Sequence, residues 1–353
     1  MPNKIKLYEA INQSLHKAMN DNADVICFGL GTDDPKGIFG TTLGLKESFG
    51  GERVFDMPTA ENGMTGVAIG AALGGKYPVM SHQRLDFFLL CMDQLVNNAA
   101  KWRYMFGGQN SVPLTIRLII GRGWGQGPTH SQNLQSWFAH IPGLKVVCPT
   151  SPQKAFDQLY DSIFDPNPVL FLEHRWLHAM EGEVNAESTR AEFGKAEVVH
   201  SGDELTIVCY SYMVPEAIRA AKFLKSTYGV GVDVIDLCSL HPIDWESIHT
   251  SIKKTGRLLA LDTSHEQCSI SSEIVANVSE NFWSRLKSNP KRLALPNHPT
   301  PTSNALTKEF YLDAKDVVKE SLRILGLDVS IQSEILNKPG PHDVPGAWFS
   351  GPF

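Results

Sequence analysis

The sequence predicts an α/β protein of two doubly wound domains, and three observations carry that prediction. Short β-branched runs alternate with longer helical stretches along most of the chain, the pattern of parallel strands joined through helices. Those runs are apolar nearly throughout, as in Leu114-Thr-Ile-Arg-Leu-Ile-Ile120, so both faces of each sheet are covered. The length of 353 residues corresponds to about two domains at roughly 100–200 residues each.

The elements follow in order. Asp24–Gly29, Tyr77–Ser81, Leu114–Ile120, Leu144–Cys148 and Val169–Glu173 read as strands of the first domain. Between them Gly63–Gly74, Asp86–Met105 and Ser151–Phe164 read as helices, with Pro152 suited to the first turn of the last. From about Met180 to Asp203 the periodicity fails and Glu, Gly, Asn, Ser and Thr dominate, as in an inter-domain connection. Alternation resumes with strands near Leu205–Val208, Val232–Leu237, Leu258–Leu261 and Arg292–Leu295. Helices lie near Val214–Ser226, Trp245–Lys254, Ser272–Ser284 and Asp313–Leu325. The expected boundaries are therefore a first domain over 1–185, a linker over 186–203, a second domain over 204–326 and an extended tail over 327–353. Four prolines and three glycines among residues 337–353 forbid a regular helix there. Trp348, Phe349 and Phe353 predict that this tail docks on a neighbouring subunit or back across its own chain.

Composition narrows the function. With 32 basic against 38 acidic residues and a formal charge of −6, a dominant phosphate-backbone surface is disfavoured, and nucleic acid is not an expected partner. No apolar run approaches the roughly 20 residues that span a bilayer, so no membrane partner is expected either. Met1–Ala10 lacks a signal-peptide core. The six cysteines lie 29 or more residues apart, which gives neither a zinc ribbon nor a redox pair. The expected location is cytoplasmic.

Two segments carry candidate chemistry. In Asp56-Met-Pro-Thr-Ala-Glu-Asn-Gly-Met-Thr-Gly66, a carboxylate stands between a strand end and a glycine-rich helix. Ligands of open α/β sheets bind beyond the carboxyl ends of strands, so Glu61 lies where a site is expected. From spacing alone, Glu61 reads equally as an acid complementing a helix dipole. Gly66, Gly70 and Gly74 recur at helical spacing, which suits close packing against a partner helix. In Gly121-Arg-Gly-Trp-Gly-Gln-Gly-Pro-Thr-His-Ser-Gln132 a strand runs into a glycine-rich loop ending at His130. Histidine moves protons near neutrality, although a lone loop histidine also reads as a surface group.

Taken together these segments resemble one family, the β subunit of the first, decarboxylating component of the 2-oxo acid dehydrogenase complexes. That subunit belongs to the transketolase-like, thiamine-diphosphate-dependent enzymes. The anchors are Pro58–Ala72, Met92-Asp-Gln-Leu-Val-Asn-Asn-Ala-Ala-Lys101, Gly107-Gly108 before Val112-Pro113, Thr129-His-Ser-Gln132, Pro142–Val147 and Asp236–Trp245. They fall in order between Leu7 and Leu325. The resemblance implies a transketolase-like pyrimidine-binding domain followed by a transketolase C-terminal-like domain. It implies that Glu61 bonds the ring nitrogen of the aminopyrimidine and promotes the tautomer that forms the ylid. It implies that Phe87 stacks on the pyrimidine and that His130 faces the reacting carbon. It also implies a potassium ion on the backbone carbonyls of Leu114, Ser162, Ile163, Asp165 and Asn167.

The family's Gly-Asp-Gly diphosphate motif is missing from the sequence, Gly202-Asp203-Glu204 being the nearest match. The resemblance thus implies an α subunit that holds Mg2+ and the diphosphate, in a two-plus-two heterotetramer with a second copy of this chain. A lipoyl acyltransferase is a further implied partner. The expected reaction is decarboxylation of a pyruvate-like 2-oxo acid and transfer of the acyl or aldehyde unit to a lipoyl group. Ser81-His-Gln-Arg-Leu-Asp-Phe87 departs from the family's apolar Glu-Phe-Met-Thr-Phe-Asn-Phe stretch. His82, Gln83 and Arg84 either face the α partner or an internal network, or they bind a polar substrate or acceptor. The second case fits a split transketolase-like carboligase delivering a two-carbon unit to a sugar or other polar aldehyde or ketone. A non-catalytic scaffold subunit is the third reading.

Overall fold

The computed structural model describes residues 3–34, 36–121, 125–187, 192–329 and Leu336. The expectations for residues 337–353, including Trp348, Phe349 and Phe353, lie outside them. The described residues form two compact units, one built from residues 3–121 and 129–193 and the other from 125–128 together with residues from 194 onward.

In the first unit β1 (Asn3–Lys6) leads directly into α1 (Leu7–Asp21), and β2 (Val25–Gly29) is followed by short α2 (Gly37–Gly40) and α3 (Leu45–Phe49). Then come β3 (Val54–Asp56), α4 (Glu61–Leu73), β4 (Tyr77–His82), α5 (Leu85–Phe88), α6 (Ala100–Met105) and β5 (Thr115–Ile120). The unit ends with α7 (Gln135–Ala139), β6 (Lys145–Val147), α8 (Pro152–Phe164), β7 (Val169–His174) and β8 (Glu181–Val184). Its strands lie in the order β6-β7-β5-β4-β2-β3, all parallel. Every residue of β5 and β7 is buried, as covering on both faces requires. α1 lays Leu7, Ala10, Ile11, Leu15, Ala18 and Met19 inward, and Ser14 Oγ donates to the Phe156 carbonyl of α8 at 2.8 Å. Ser151 caps α8 by accepting from Lys154 N, with Pro152 in the first turn.

This order sets the position of a site. The chain leaves β2 toward β3 on one side and leaves β4 toward β5 on the other. The loops after β2 and β4 therefore part, opening a crevice at the carboxyl edge of the sheet.

The second unit has β9 (Glu197–His200), β10 (Leu205–Cys209), α9 (Met213–Tyr228), β11 (Val232–Asp236), β12 (Ser239–His241), α10 (Trp245–Thr255), β13 (Leu258–His265), α11 (Ile270–Phe282), β14 (Lys291–Leu295), α12 (Asn304–Thr307) and α13 (Ala314–Leu325). Its sheet runs β14-β13-β10-β11-β9, with β9 alone antiparallel. Asp262, within β13, is buried and accepts from Tyr210 OH, from Ser264 N and Oγ, and from Ser271 N.

Two local expectations are corrected. The segment read as structureless connection contains β8, which pairs antiparallel with β1, and β9, which pairs with β11. Both are edge strands with largely exposed side chains, so they need no apolar run to form. The stretch read as one helix from Asp86 to Met105 is interrupted by a 3-10 turn at Leu89–Cys91 and a π-helical turn at Gln94–Ala99. Asn97 and Asn98 bond back to Asp93 and Gln94 at 2.7 and 2.9 Å across that wide turn. Hydrophobic spacing over six residues does not separate a π from an α turn.

Candidate active site

Glu61 opens α4 immediately beyond β3, capped by Ala60 rather than by a side chain. The residue as a whole is 6% exposed, and its carboxylate has no hydrogen-bond partner among the described residues. A carboxylate without a donor at the carboxyl edge of a sheet is placed to accept from a ligand. Thr65 Oγ1 donates to the Glu61 carbonyl at 2.8 Å and lies 3.6 Å from Met80 Sδ, seating the first turn of α4 on β4. Burial and the nearby Glu61 charge push the Cys91 thiol up to about 12. The glycine face of α4 is split. A Cβ on Gly66 would meet Gln94, whereas one on Gly63 or Gly70 would meet nothing, and Val67 between them is 57% exposed.

The structure brings four residues together at the ends of β4 and β5. The Phe87 and His130 rings meet edge to face at 5.3 Å, and Gln132 Nε2 donates to Asp86 Oδ1 at 2.8 Å. His130 is exposed, and its Nδ1 lies 3.0 Å from Thr129 Oγ1, leaving Nε2 without a partner among the described residues. Glu61 comes from a different strand end, after β3. Ser131 Oγ and Asn133 Oδ1, just past His130, are buried and unpartnered in the described residues, as is Thr32 Oγ1 after β2. Orphaned polar atoms at a strand edge mark places where a ligand, a partner or water completes the bonding.

His82, Gln83 and Arg84 part company. Gln83 is exposed at the crevice, its amide 2.7 Å from where a Cβ on Gly31 would stand. Arg84 turns inward and is taken up below. His82 is 1% exposed, edge-on to Phe88 at 5.0 Å, and neither ring nitrogen has a partner among the described residues. Burial holds its imidazole down at about 4, so it is neutral at pH 7. The unfolded chain would protonate it near the ordinary value of about 6.5. Its contribution to stability is therefore intact above that pH and is lost as pH falls from about 6.5 toward 4. That amounts to about 2 kcal/mol between pH 7 and 5. His82→Phe should flatten urea-unfolding stability over this interval by about that amount. Equal pH slopes in variant and wild type would remove His82 as the cause.

Below the site lies a buried ion cluster that no motif marks. Arg117 in β5 binds Glu173 in β7 through both forks, Nε to Oε1 at 2.7 Å and Nη2 to Oε2 at 3.0 Å. Its Nη1 reaches Ser81 Oγ of β4 at 3.3 Å, and His178 Nε2 lies 3.2 Å from Glu173 Oε2. Burial pushes the Glu173 carboxyl up, but Arg117 and His178 outweigh it and hold the group below its usual range. Burial likewise lowers His178, with Glu173 opposing.

The residues expected to hold potassium lie at the other end of the sheet. The Leu114 carbonyl accepts from Val169 N at 2.9 Å and the Ser162 carbonyl from Asp165 N at 3.3 Å. The Asp165 carboxylate pairs with Lys145 and accepts from Asn167 N. Ile163 is buried in α8. Any cation here would rest on carbonyl oxygens, since Asp165 already faces an ammonium. Among the described residues no three His, Cys, Asp or Glu side chains converge as metal ligands.

A model of the transketolase pyrimidine-binding domain matches residues 3–179, and one of the transketolase C-terminal domain matches 194–317. The chain is 36% identical to the β subunit of acetoin:2,6-dichlorophenolindophenol oxidoreductase of Cupriavidus necator, over 92% of this chain and 98% of that one. It is 36% identical to the mitochondrial pyruvate dehydrogenase E1 component subunit beta-2 of Oryza sativa, over 89% and 85% respectively. The 2-oxoisovalerate dehydrogenase subunit beta of Bacillus subtilis is 35% identical, over 90% and 97%. A solved split-gene transketolase, in an inactive beta4 tetramer, shares the fold with a TM-score of 0.73 at 22% identity, over 92% of this chain and 99% of that one. This chain belongs to the transketolase-like family, among the β subunits of the first component of 2-oxo acid dehydrogenases.

Proposed function

We propose that the chain is the β subunit of a heteromeric, thiamine-diphosphate-dependent enzyme that decarboxylates a 2-oxo acid and transfers the resulting acyl or aldehyde unit to an acceptor, a lipoyl group in the dehydrogenase-complex form. The observation that carries this is Glu61, a largely buried residue whose carboxylate has no partner among the described residues, at the carboxyl edge of a pyrimidine-binding domain. The residues present fit the pyrimidine half of the cofactor, Glu61 offering an acceptor for a ring N–H and Phe87 a ring for stacking. When bound, thiamine diphosphate supplies a nucleophilic carbon and an electron sink. Glu61 holds and returns the proton that activates it. His130, exposed and edge-on to Phe87, moves protons at Nε2. Asp86 and Gln132 fix the two segments that carry these rings.

The diphosphate and Mg2+ fall to an α subunit in a two-plus-two assembly, because the sequence lacks the Gly-Asp-Gly motif. The open Gly63-Val67-Gly70 face of α4 gives such a partner a surface of small side chains. We further assign a potassium ion to the carbonyls of Leu114, Ser162, Ile163, Asp165 and Asn167, and a role to a lipoyl acyltransferase as acceptor partner. No helix among the described residues is long and apolar enough to cross a membrane. Six cysteines set 29 or more residues apart, five of them buried, suit a reducing compartment, in keeping with a cytoplasmic enzyme.

The split site has a direct test. Titration calorimetry of the purified chain should detect weak or no binding of thiamine diphosphate with Mg2+, and tight binding once the α chain is added. Tight, magnesium-dependent binding by the single chain would refute it.

A further inference from the structure

Arg84 caps α5, and Asp86 and Phe87 lie in the single turn of that helix. This turn touches the stretch that carries His130 at three points. Arg84 Nη1 donates to the Gly121 carbonyl at 2.7 Å, where the stretch leaves β5. Asp86 Oδ1 accepts from Gln132 Nε2 at 2.8 Å, just past His130. Between these bonds the Phe87 ring meets the His130 ring edge to face at 5.3 Å. Arg84 is 4% exposed. Burial lowers its guanidinium to about 10 while the Asp86 charge opposes that fall, so Arg84 is a cation at neutral pH and Asp86 supports it. Of the readings open to Arg84 from the sequence, the internal network is the one its geometry gives. The fastened stretch is poor at holding itself. Gly121, Gly123, Gly125 and Gly127 alternate along it, and Gly121, Gly125 and Gly127 stand at φ 73, 58 and 68. Glycine carries the most backbone freedom, so contacts from outside the stretch set where the imidazole stands. Thr129 Oγ1, 3.0 Å from His130 Nδ1, orients the ring but travels with it.

We propose that Arg84 and Asp86 are positioning residues, which pin both ends of the His130 stretch to the helix that carries Phe87 and so hold the two rings as one body. The inference rests on the role proposed above for His130 and goes beyond it by naming what places the imidazole. A group that moves protons has to stand within hydrogen-bond reach of the reacting atom, and a misplacement of about 1 Å costs about 100-fold in rate. Asp86 is the stronger lever, because its bond to Gln132 falls close to His130, whereas Gly121 lies at the far end of the stretch.

Two measurements test it. In the first, the full chain without cofactor carries carbon-13 in its histidine rings, and the His130 resonance is assigned by its absence in His130→Ala. Phe87→Leu removes the ring current of Phe87 and marks where that resonance goes when the rings part. Asp86→Ala and Gln132→Met should move it toward the same position, and Arg84→Met by less. Asp86→Asn keeps an oxygen for Gln132 to bond and should leave it in place. In the second, turnover is measured on the enzyme reconstituted with the α chain. Asp86→Ala should lower kcat by about 10- to 100-fold, and Asp86→Asn should recover most of that loss. In a His130→Ala background Asp86→Ala should cost nothing further, because residues acting as one unit are not additive. A His130 resonance unmoved in Asp86→Ala and Gln132→Met would overturn the proposal. So would an equal loss of turnover in both backgrounds, which would return Asp86 to a packing role. Gln132→Met alters a half-buried side chain and covers the case in which Asp86→Ala or Arg84→Met fails to fold. The resonance involves neither cofactor nor turnover, so its result stands apart from the role of His130 in the reaction.

Discussion

Glu61→Ala, reconstituted with the α chain, should lose at least about 100-fold in turnover, the lower end for removing a group that moves protons in the transition state. Glu61→Gln should lose a similar amount, because an amide keeps the shape but cannot hold the proton. The fold should survive both changes. The carboxylate has no partner among the described residues to forfeit, and the side chain sits at the first turn of α4, where little packing depends on it. Far-ultraviolet circular dichroism and the urea midpoint should therefore match wild type while steady-state turnover collapses. Near-normal turnover of the alanine variant would sink the assignment of Glu61 as the proton-moving group.

The largest loss of stability should follow from Glu173→Gln. Glu173 is fully buried and is the counter-charge of Arg117, which is 2% exposed. With the charge removed, the guanidinium remains in the sheet with a neutral amide and Ser81 Oγ as its neighbours. Breaking a buried pair from one side costs about 3–5 kcal/mol. Urea unfolding should show a midpoint shift of that size, with an unchanged denaturant slope. The double variant Arg117→Met, Glu173→Gln should recover much of the loss, since an apolar side chain of similar length removes the stranded charge. A loss below about 1 kcal/mol in the single variant would mean that water reaches Arg117.

The architecture was legible because it is written in long-range repetition. Near-continuous apolar runs such as Val169–Leu172 can only be interior strands, and the helices between them keep one apolar face. β8 and β9 were not legible, because an edge strand draws its stability from backbone pairing, and Glu181 and Glu183 look like linker. Glu61, Phe87 and His130 could be singled out because each sits in a local run of residues that resembles a family. The grip of Arg84 on Gly121 could not, since it exists only where β4 and β5 end on the same edge of the sheet. The Arg117–Glu173–His178 cluster left one trace, an arginine in the middle of an apolar strand. A charge at that position has to be paired in the fold, but its partner lies 56 positions away and no spacing rule reaches that far.

The β1–β8 ribbon has a consequence for how the chain is made. Lys6 pairs with Glu181, and the difference of those numbers, 181 − 6, is 175 residues. At about 5–20 residues per second, the first strand waits roughly 9–35 seconds for its mate to be synthesised. α1, which follows β1 without a break, waits nearly as long for α8. For that interval a helix whose inner face is Leu7, Ile11, Leu15 and Met19 is covered only in part, by β2, α2 and α3. This helix is thus translated long before its main partner and is among the last elements of its unit to be sheltered, which makes it a natural landing site for a chaperone at the ribosome.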